Sequence, residues 1–251
     1  MPRAALVTGA AQRIGRAIAL ALAADGWAVA IHHRHSGTAA ESLAAEIAKN
    51  GGRAVALAAD LAREDEVEAL MRRAGEALGP VGALVNNASV FERDEALTVT
   101  RASWDRHIET NLRAPFVLMQ LFARQLPAGS GGAIVNIVDE RVWKLTPHFV
   151  SYTLSKAGLW TLTQTMALAL APRIRVNAIG PGPTLPSPRQ SEEQFQRQWS
   201  AMPLQRGTTP EEIAAAVRFI IAAPAMTGQM IALDGGQHLL WAAAGSGSSA
   251  E

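Results

Sequence analysis

The stretch "AALVTGAAQRIGRAIALALAADGWAVAIHHRHS", residues 4–36, decides the fold. It opens with a short apolar run, "AALVT" (4–8), meets Gly9, and passes into apolar residues spaced every four positions at Ile14, Ile18 and Leu22. Spacing of three to four residues buries one face of a helix, whereas a short run rich in β-branched residues and ending at a glycine reads as a strand. In "DGW" (25–27) a glycine stands just past the helix end, where a left-handed residue closes a helix, and a second run, "AVAIH" (28–32), follows. Strand, glycine turn, helix and strand in that order form one unit of a parallel sheet.

The same alternation continues outward through "AVALA" (54–58), "ALVNN" (83–87), "AIVNIV" (133–138), "IRVNAI" (174–179) and "QMIAL" (229–233), giving seven expected strands. Between them Val67, Leu70, Met71, Ala74 and Leu78 keep the helical rhythm, and "NGGR" (50–53) again puts glycine after a helix. The pattern predicts an α/β fold with helices on both faces of a parallel sheet. No linker interrupts it, so residues 1–241 are expected to form one domain and 242–251, ending in "GSGSSAE", a disordered tail. The Pro-rich "GPGPTLPSPRQ" (180–190) has the length of a lid over a site.

Composition narrows the function. Lys and Arg number 23 against 22 Asp and Glu, a formal charge of +1 with no basic run longer than a pair, so no nucleic-acid footprint is expected. Apolar runs such as "AIALALAA" (17–24) fall well short of the roughly 20 residues that span a bilayer, and "MPRAALVTGA" leads into a strand rather than a secretory segment. The absence of cysteine excludes disulfides, thiolate metal sites and a cysteine nucleophile, and is compatible with the cytoplasmic location expected for this chain. The partner class that remains is a small molecule.

"TGAAQRIG" carries glycine at 9 and 15. A tight glycine turn lets the backbone approach a diphosphate, while a helix N-terminus offers its charge unpaired N–H groups and positive dipole. One glycine of the usual fingerprints is missing and Arg13 stands in its place, so an ordinary strand-to-helix turn remains open on this stretch alone. At the end of the second strand stand His33, Arg34, His35 and Ser36, with no acid before Glu41. Cations and hydroxyls suit a 2′-phosphate where an NAD site presents a carboxylate, so NADPH is the expected cofactor. A solvated basic turn is the competing reading, and no metal site is expected because side chains adjacent on a strand diverge. Asp60, with Leu61 beside it, suits an adenine amino group or else caps the helix starting near Arg63, and "NNAS" (86–89) suits bonds to backbone under the cofactor or an Asn-rich turn.

Tyr152 and Lys156, in "YTLSK", lie four apart and so share a helix face. They follow the fifth strand, and ligands of α/β sheets bind beyond the strand carboxyl ends. A free tyrosine with pKa near 10 is ionised only about once in a thousand molecules at neutral pH; a nearby ammonium brings its proton within reach of catalysis.

Together "TGAAQRIG", "NNAS", Asn111 in "NLRAPF", "YTLSK" and "RVNAIGPG" resemble the short-chain dehydrogenase/reductase family from residue 4 to about 240. Within it the chain looks most like the pteridine reductase and dihydromonapterin reductase branch. Arg13 replaces the middle glycine, Ser89 and Phe91 follow Asn87, and Asp139 replaces the catalytic serine. The resemblance implies a single-domain Rossmann-type doubly wound sheet of seven parallel strands in a homotetramer. It implies a cofactor held by Gly9, Arg13, Ile14, His33, Arg34, His35, Ser36, Asp60, Leu61, Asn87, Ala88, Ser89, Tyr152, Lys156, Pro181 and Gly182. Phe91 would stack on a pterin, Arg13 and Ser89 would bond it, Asn111 would anchor a water linking Lys156 to solvent, and "QHLLW" (237–241) would approach a neighbouring subunit's pocket.

A serine at 139 would steady a developing alkoxide in ketone reduction. An ionised aspartate repels that oxygen, and beside Tyr152 it disfavours a phenolate, so the pair suits giving a proton to a nitrogen base. Reduction of a dihydropterin C=N bond needs that chemistry, with Asp139, Tyr152, Lys156 and Asn111 catalytic and Arg13, Ser89, Phe91, Asp139 and Tyr152 at the substrate. Three alternatives stand beside it: a carbonyl reductase acting on a 3-oxoacyl thioester or other ketone, a non-catalytic NADPH-binding protein, and an Asp139 that only pairs with Arg141 or Lys144.

Overall fold

In a computed structural model that describes residues 1–187 and 190–240, the opening stretch forms β1 (Ala4–Val7), α1 (Arg13–Ala24) and β2 (Ala28–His33). The expected tail, 242–251, lies outside the described residues. β1 and β2 run parallel with Ala4 opposite Ala28 and Val7 opposite Ile31. The chain continues through α2 (Gly37–Lys49), β3 (Ala54–Ala58), α3 (Glu64–Leu78), β4 (Val81–Asn86), α4 (Arg101–Ile108), α5 (Ala114–Gln125) and β5 (Gly132–Ile137). It ends through α6 (Val150–Leu170), β6 (Ile174–Pro181), α7 (Glu192–Ser200), α8 (Pro210–Ala222) and β7 (Met230–Leu233).

All seven expected strands form, in one sheet of order β3-β2-β1-β4-β5-β6-β7 with every pairing parallel. Because the order reverses between β1 and β4, the loops after those strands diverge to opposite faces and open a crevice. Each face of the sheet is buried under helices. Ile18 and Leu22 of α1, Leu43 and Ile47 of α2 and Val217 and Ile220 of α8 cover one side; Leu70 of α3, Leu118 and Phe122 of α5 and Met166 of α6 cover the other. The helix-closing glycines behave as their positions predict: Gly26 and Gly51 adopt φ of 79° and 81°, the left-handed region. No helix among the described residues is long and apolar enough to cross a membrane.

A buried polar string fixes α6 against the sheet. Asn86 of β4 donates to Asn136 of β5 at 2.8 Å, and Asn136 donates to Thr163 of α6 at 2.9 Å. This ties the helix that carries Tyr152 and Lys156 to two central strands.

Candidate active site

The crevice at the reversal point holds the first loop. Gly9 has φ 62°, and a Cβ on Gly15 would lie 2.3 Å from the Gly9 carbonyl oxygen and 2.6 Å from the Asn87 amide nitrogen, so both positions demand glycine. Asn87 locks the loop by donating Nδ2 to the Thr8 and Gly9 carbonyls at 2.8 and 3.2 Å. Below it Gly9 N donates to His32 Nδ1 at 3.0 Å, and His32 Nε2 meets the Ala59 carbonyl at 3.0 Å. Burial holds the His32 imidazolium pKa down to about 4, so the neutral ring serves as a rigid strut from β2 to the loops after β1 and β3.

Gly9, Arg13, Ile14, His33, Arg34, His35, Ser36, Asp60, Leu61, Asn87, Ala88 and Ser89 line one cleft of about 470 Å³. No side chain caps α1 at Gln12, which leaves the first N–H groups of that helix at the cleft wall. His33 Nδ1 is buried without a hydrogen-bond partner, and Arg34 lies beside it. Unpaired helix N–H groups, an orphaned imidazole nitrogen and a guanidinium form a donor set that fits a phosphorylated dinucleotide. Asp60 is not the cap of α3, whose N-cap residue is Arg63; it holds Arg34 at 2.9 Å and accepts from Ala62 N at 3.0 Å.

Pro181, Gly182, Tyr152 and Lys156 line an adjoining cavity of about 290 Å³ together with Arg13, Ser89, Phe91 and Asp139. Arg13 borders both spaces. Its backbone takes φ 54°, the left-handed conformation a glycine would adopt, and its guanidinium donates to the Leu185 and Pro186 carbonyls at 3.2–3.3 Å. The side chain thereby clamps the Pro-rich loop over the site. Of that loop, residues 188 and 189 lie outside the described part. The α7 that follows was not anticipated; its Phe195 lines the cavity and Trp199 donates to the Pro183 carbonyl at 2.9 Å.

Tyr152 Oη donates to Asp139 Oδ2 at 2.6 Å, and Asp139 Oδ1 accepts from Arg141 N at 2.8 Å. The aspartate is held from both sides with one oxygen on the phenol. Lys156 is 2% exposed and donates Nζ to the Ile137 carbonyl at 2.9 Å. Burial lowers its pKa to about 8, against the opposing pull of Asp139. Phe91 and Tyr152 meet in a T-shaped contact with ring centroids 4.7 Å apart, and Phe91 is stacked on Phe149 at 4.5 Å. Phe149 does not line the cavity and so backs Phe91 from behind.

Asn111 sits on a π-helical turn, Glu109–Arg113, of the kind that recurs at functional sites. Its side chain is fully engaged: Oδ1 accepts from Val90 N and Ser89 Oγ, and Nδ2 donates to the Val90 carbonyl and Ser155 Oγ. The side chain braces the Ser89–Phe91 loop against α6. Gln237 lines this cavity, and Trp241 lies outside the described residues.

Sequence reasoning missed a second buried set. Asp94 accepts from Ser151 N at 3.1 Å, from Ser151 Oγ, and from Ser103 Oγ at 3.0 Å, while His107 Nδ1 meets Ser151 Oγ at 2.7 Å and Nε2 accepts from Glu92 N at 3.0 Å. Burial keeps the His107 imidazole pKa low, in accord with an acceptor nitrogen toward Glu92. Only the Tyr-x-x-x-Lys spacing marked α6 in advance; nothing in the order of these residues pairs Asp94 with Ser151 across 57 positions.

A family model described as enoyl-(acyl carrier protein) reductase matches residues 9–238. The 3-oxoacyl-(acyl-carrier-protein) reductase of Synechocystis sp. is 35% identical over 236 residues, covering 92% of this chain and 95% of that one. Among solved structures, FolM alternative dihydrofolate reductase 1 from Brucella suis, in complex with NADP, is 50% identical with a TM-score of 0.93, covering 95% of this chain and 96% of that one. The Brucella canis protein of the same name, complexed with NADP, is 49% identical with a TM-score of 0.90 and covers 95% of both chains.

Proposed function

Because the chain belongs to the short-chain dehydrogenase/reductase family, we propose that it is an NADPH-dependent reductase that saturates a C=N bond of a pterin or dihydropterin. The observation that carries the reading is the 2.6 Å hydrogen bond from Tyr152 Oη to Asp139 Oδ2 on the wall of the cavity. The likeness to two proteins named alternative dihydrofolate reductase 1 supports it.

The donor set of the cleft suits NADPH: glycine turn and α1 N-terminus at the diphosphate, His33, Arg34, His35 and Ser36 at the 2′-phosphate, Lys156 at the nicotinamide ribose. When bound, the cofactor supplies hydride to the ring carbon and leaves oxidised. The chain's own residues supply the rest. Phe91, backed by Phe149, gives a flat aromatic wall for a bicyclic ring. Tyr152 gives its proton to the ring nitrogen, so that C=N becomes CH–NH, and recovers one from solvent. Asp139 holds the phenol proton on Tyr152 until a base stronger than a carbonyl oxygen arrives, since an anion beside the phenol opposes phenolate. The buried Lys156 ammonium lies 5.8 Å from the Tyr152 ring and offsets the phenolate once formed.

A ketone-reducing alternative is favoured by one observation, the 35% identity to a 3-oxoacyl reductase. NADPH oxidation with a dihydropterin panel beside an acetoacetyl thioester separates the two. Wild type is expected to turn over dihydropterin, and Asp139→Ser to lose most of that activity. Preferential thioester reduction by the wild type reverses the assignment.

A further inference from the structure

Glu140 is unused by this chemistry. It follows Asp139, is 5% exposed, and lines the substrate cavity, yet its carboxyl has no hydrogen-bond partner among the described residues, Oε2 being wholly buried. Gln237 lines the same cavity with a buried Oε1 that also lacks a partner. The two side chains stand on separate single-turn helices, Glu140–Val142 and Gln237–Leu239, that pack together. Lys144 Nζ, reaching the Gln237 carbonyl at 3.4 Å, ties them.

Native interiors pair nearly all buried polar atoms, and an unpaired one is destabilising. Both oxygens lie just beneath the wall of the cavity that their residues line, and rotation about the soft terminal torsion of each side chain would present one to a partner that arrives with the ligand. The charges around Glu140 are Asp139 and Asp234 on one side and Arg141 and Lys144 on the other. Burial first, then Asp139, push its carboxyl up to about 8, against Arg141. At neutral pH it is therefore an uncharged acid offering one O–H and one acceptor.

We infer that Glu140 and Gln237 form a subsite that binds an O–H or N–H donor of the substrate. The inference rests on the pterin reading only for the ring that carries the donor. Its test uses the NADP⁺-loaded enzyme titrated with three probes: 6-hydroxymethylpterin, 6-methylpterin without the hydroxyl, and 6-methyllumazine without the 2-amino group. Glu140→Leu should weaken a donor-bearing probe about tenfold, the scale of one lost hydrogen bond, and the loss should vanish when that donor is deleted. Glu140→Gln, uncharged and still both donor and acceptor, should stay within about threefold of wild type. Equal binding of all three probes by wild type and Glu140→Leu overturns the inference.

Thermal unfolding of the free protein separates the two failures. Glu140→Leu should raise the midpoint by roughly 2–4 °C, because it removes an unpaired buried acid. If wild type binds none of the probes, the pterin reading falls, and the subsite is judged by that midpoint alone: a rise keeps it, a fall makes Glu140 a structural contact and ends it.

Discussion

At Lys156 an ammonium has been taken out of water, with Nζ on the Ile137 carbonyl and pKa lowered to about 8 by burial. Below pH 8 both the folded and unfolded chains carry this charge, and the folded one bears the desolvation penalty. Between about 8 and 10.5 the unfolded chain keeps a proton the folded chain has lost, so stability rises with pH across that window. The shift corresponds to about 3 kcal/mol. Lys156→Met is expected to be inactive yet more stable than wild type by about 2 kcal/mol at pH 7, after loss of roughly one hydrogen bond. Denaturant unfolding at several pH values checks it: the advantage should shrink above pH 8 and be gone by about 10.5. Arg13 shows the opposite balance. Its φ of 54° is strained for a side-chain-bearing residue, but its guanidinium clamps the Leu185 and Pro186 carbonyls. Arg13→Gly should therefore leave stability unchanged or raise it by about 1 kcal/mol while increasing the substrate KM severalfold. A lowered unfolding midpoint with unchanged KM would contradict the clamp.

The first turn of α6 has no cap of its own. Phe149 at its N-cap position is left-handed, φ 59°, and offers no side-chain acceptor. Asp94 supplies the missing anion from a different segment, accepting from the Ser151 N–H and hydroxyl near the positive end of the helix dipole. Asp94→Ala should destabilise the protein by about 3 kcal/mol, as a buried charged acceptor with several donors is lost. It should also reduce kcat more than cofactor affinity, because the loosened turn carries Tyr152 rather than the glycine loop. Steady-state kinetics beside urea unfolding measures both; full kcat with reduced stability would assign Asp94 to folding alone. This element also marks where sequence reading stops. The seven strands and the Tyr152–Lys156 pair were legible because period two, period four and glycine stops are local signals. The acid at 139 was legible as chemistry because it stands in a strand-end position whose neighbours are known. Phe149, Asp94, His107 and the Asn111 brace were not, because each works through a contact between segments tens of residues apart. The left-handed backbone at 13 and 149 carries no glycine to announce it.

Across the whole molecule, the residues that would grip the proposed cofactor come from the loops after β1, β2 and β3 on one side of the reversal and from β4, α6 and β6 on the other. A ligand spanning both halves binds only the folded chain and so stabilises it in proportion to the logarithm of its concentration over Kd. At about one hundred times Kd the gain is about 2.7 kcal/mol, which for a chain of this size raises the midpoint by roughly 5–10 °C. NADPH should deliver that shift, whereas NADH at equal concentration should give a clearly smaller one, because it offers His33, Arg34 and His35 no phosphate. Replacing both Arg34 and His35 with alanine should bring the two shifts together by lowering the NADPH value, since the glycine turn and the α1 N-terminus would still hold the diphosphate common to both. The release of Asp60 from its 2.9 Å pairing with Arg34 would affect the two cofactors alike and cannot mimic this convergence. Equal shifts already in the wild type would mean that the cluster after β2 is only a solvated basic turn, and the preference for a 2′-phosphate would fall with it.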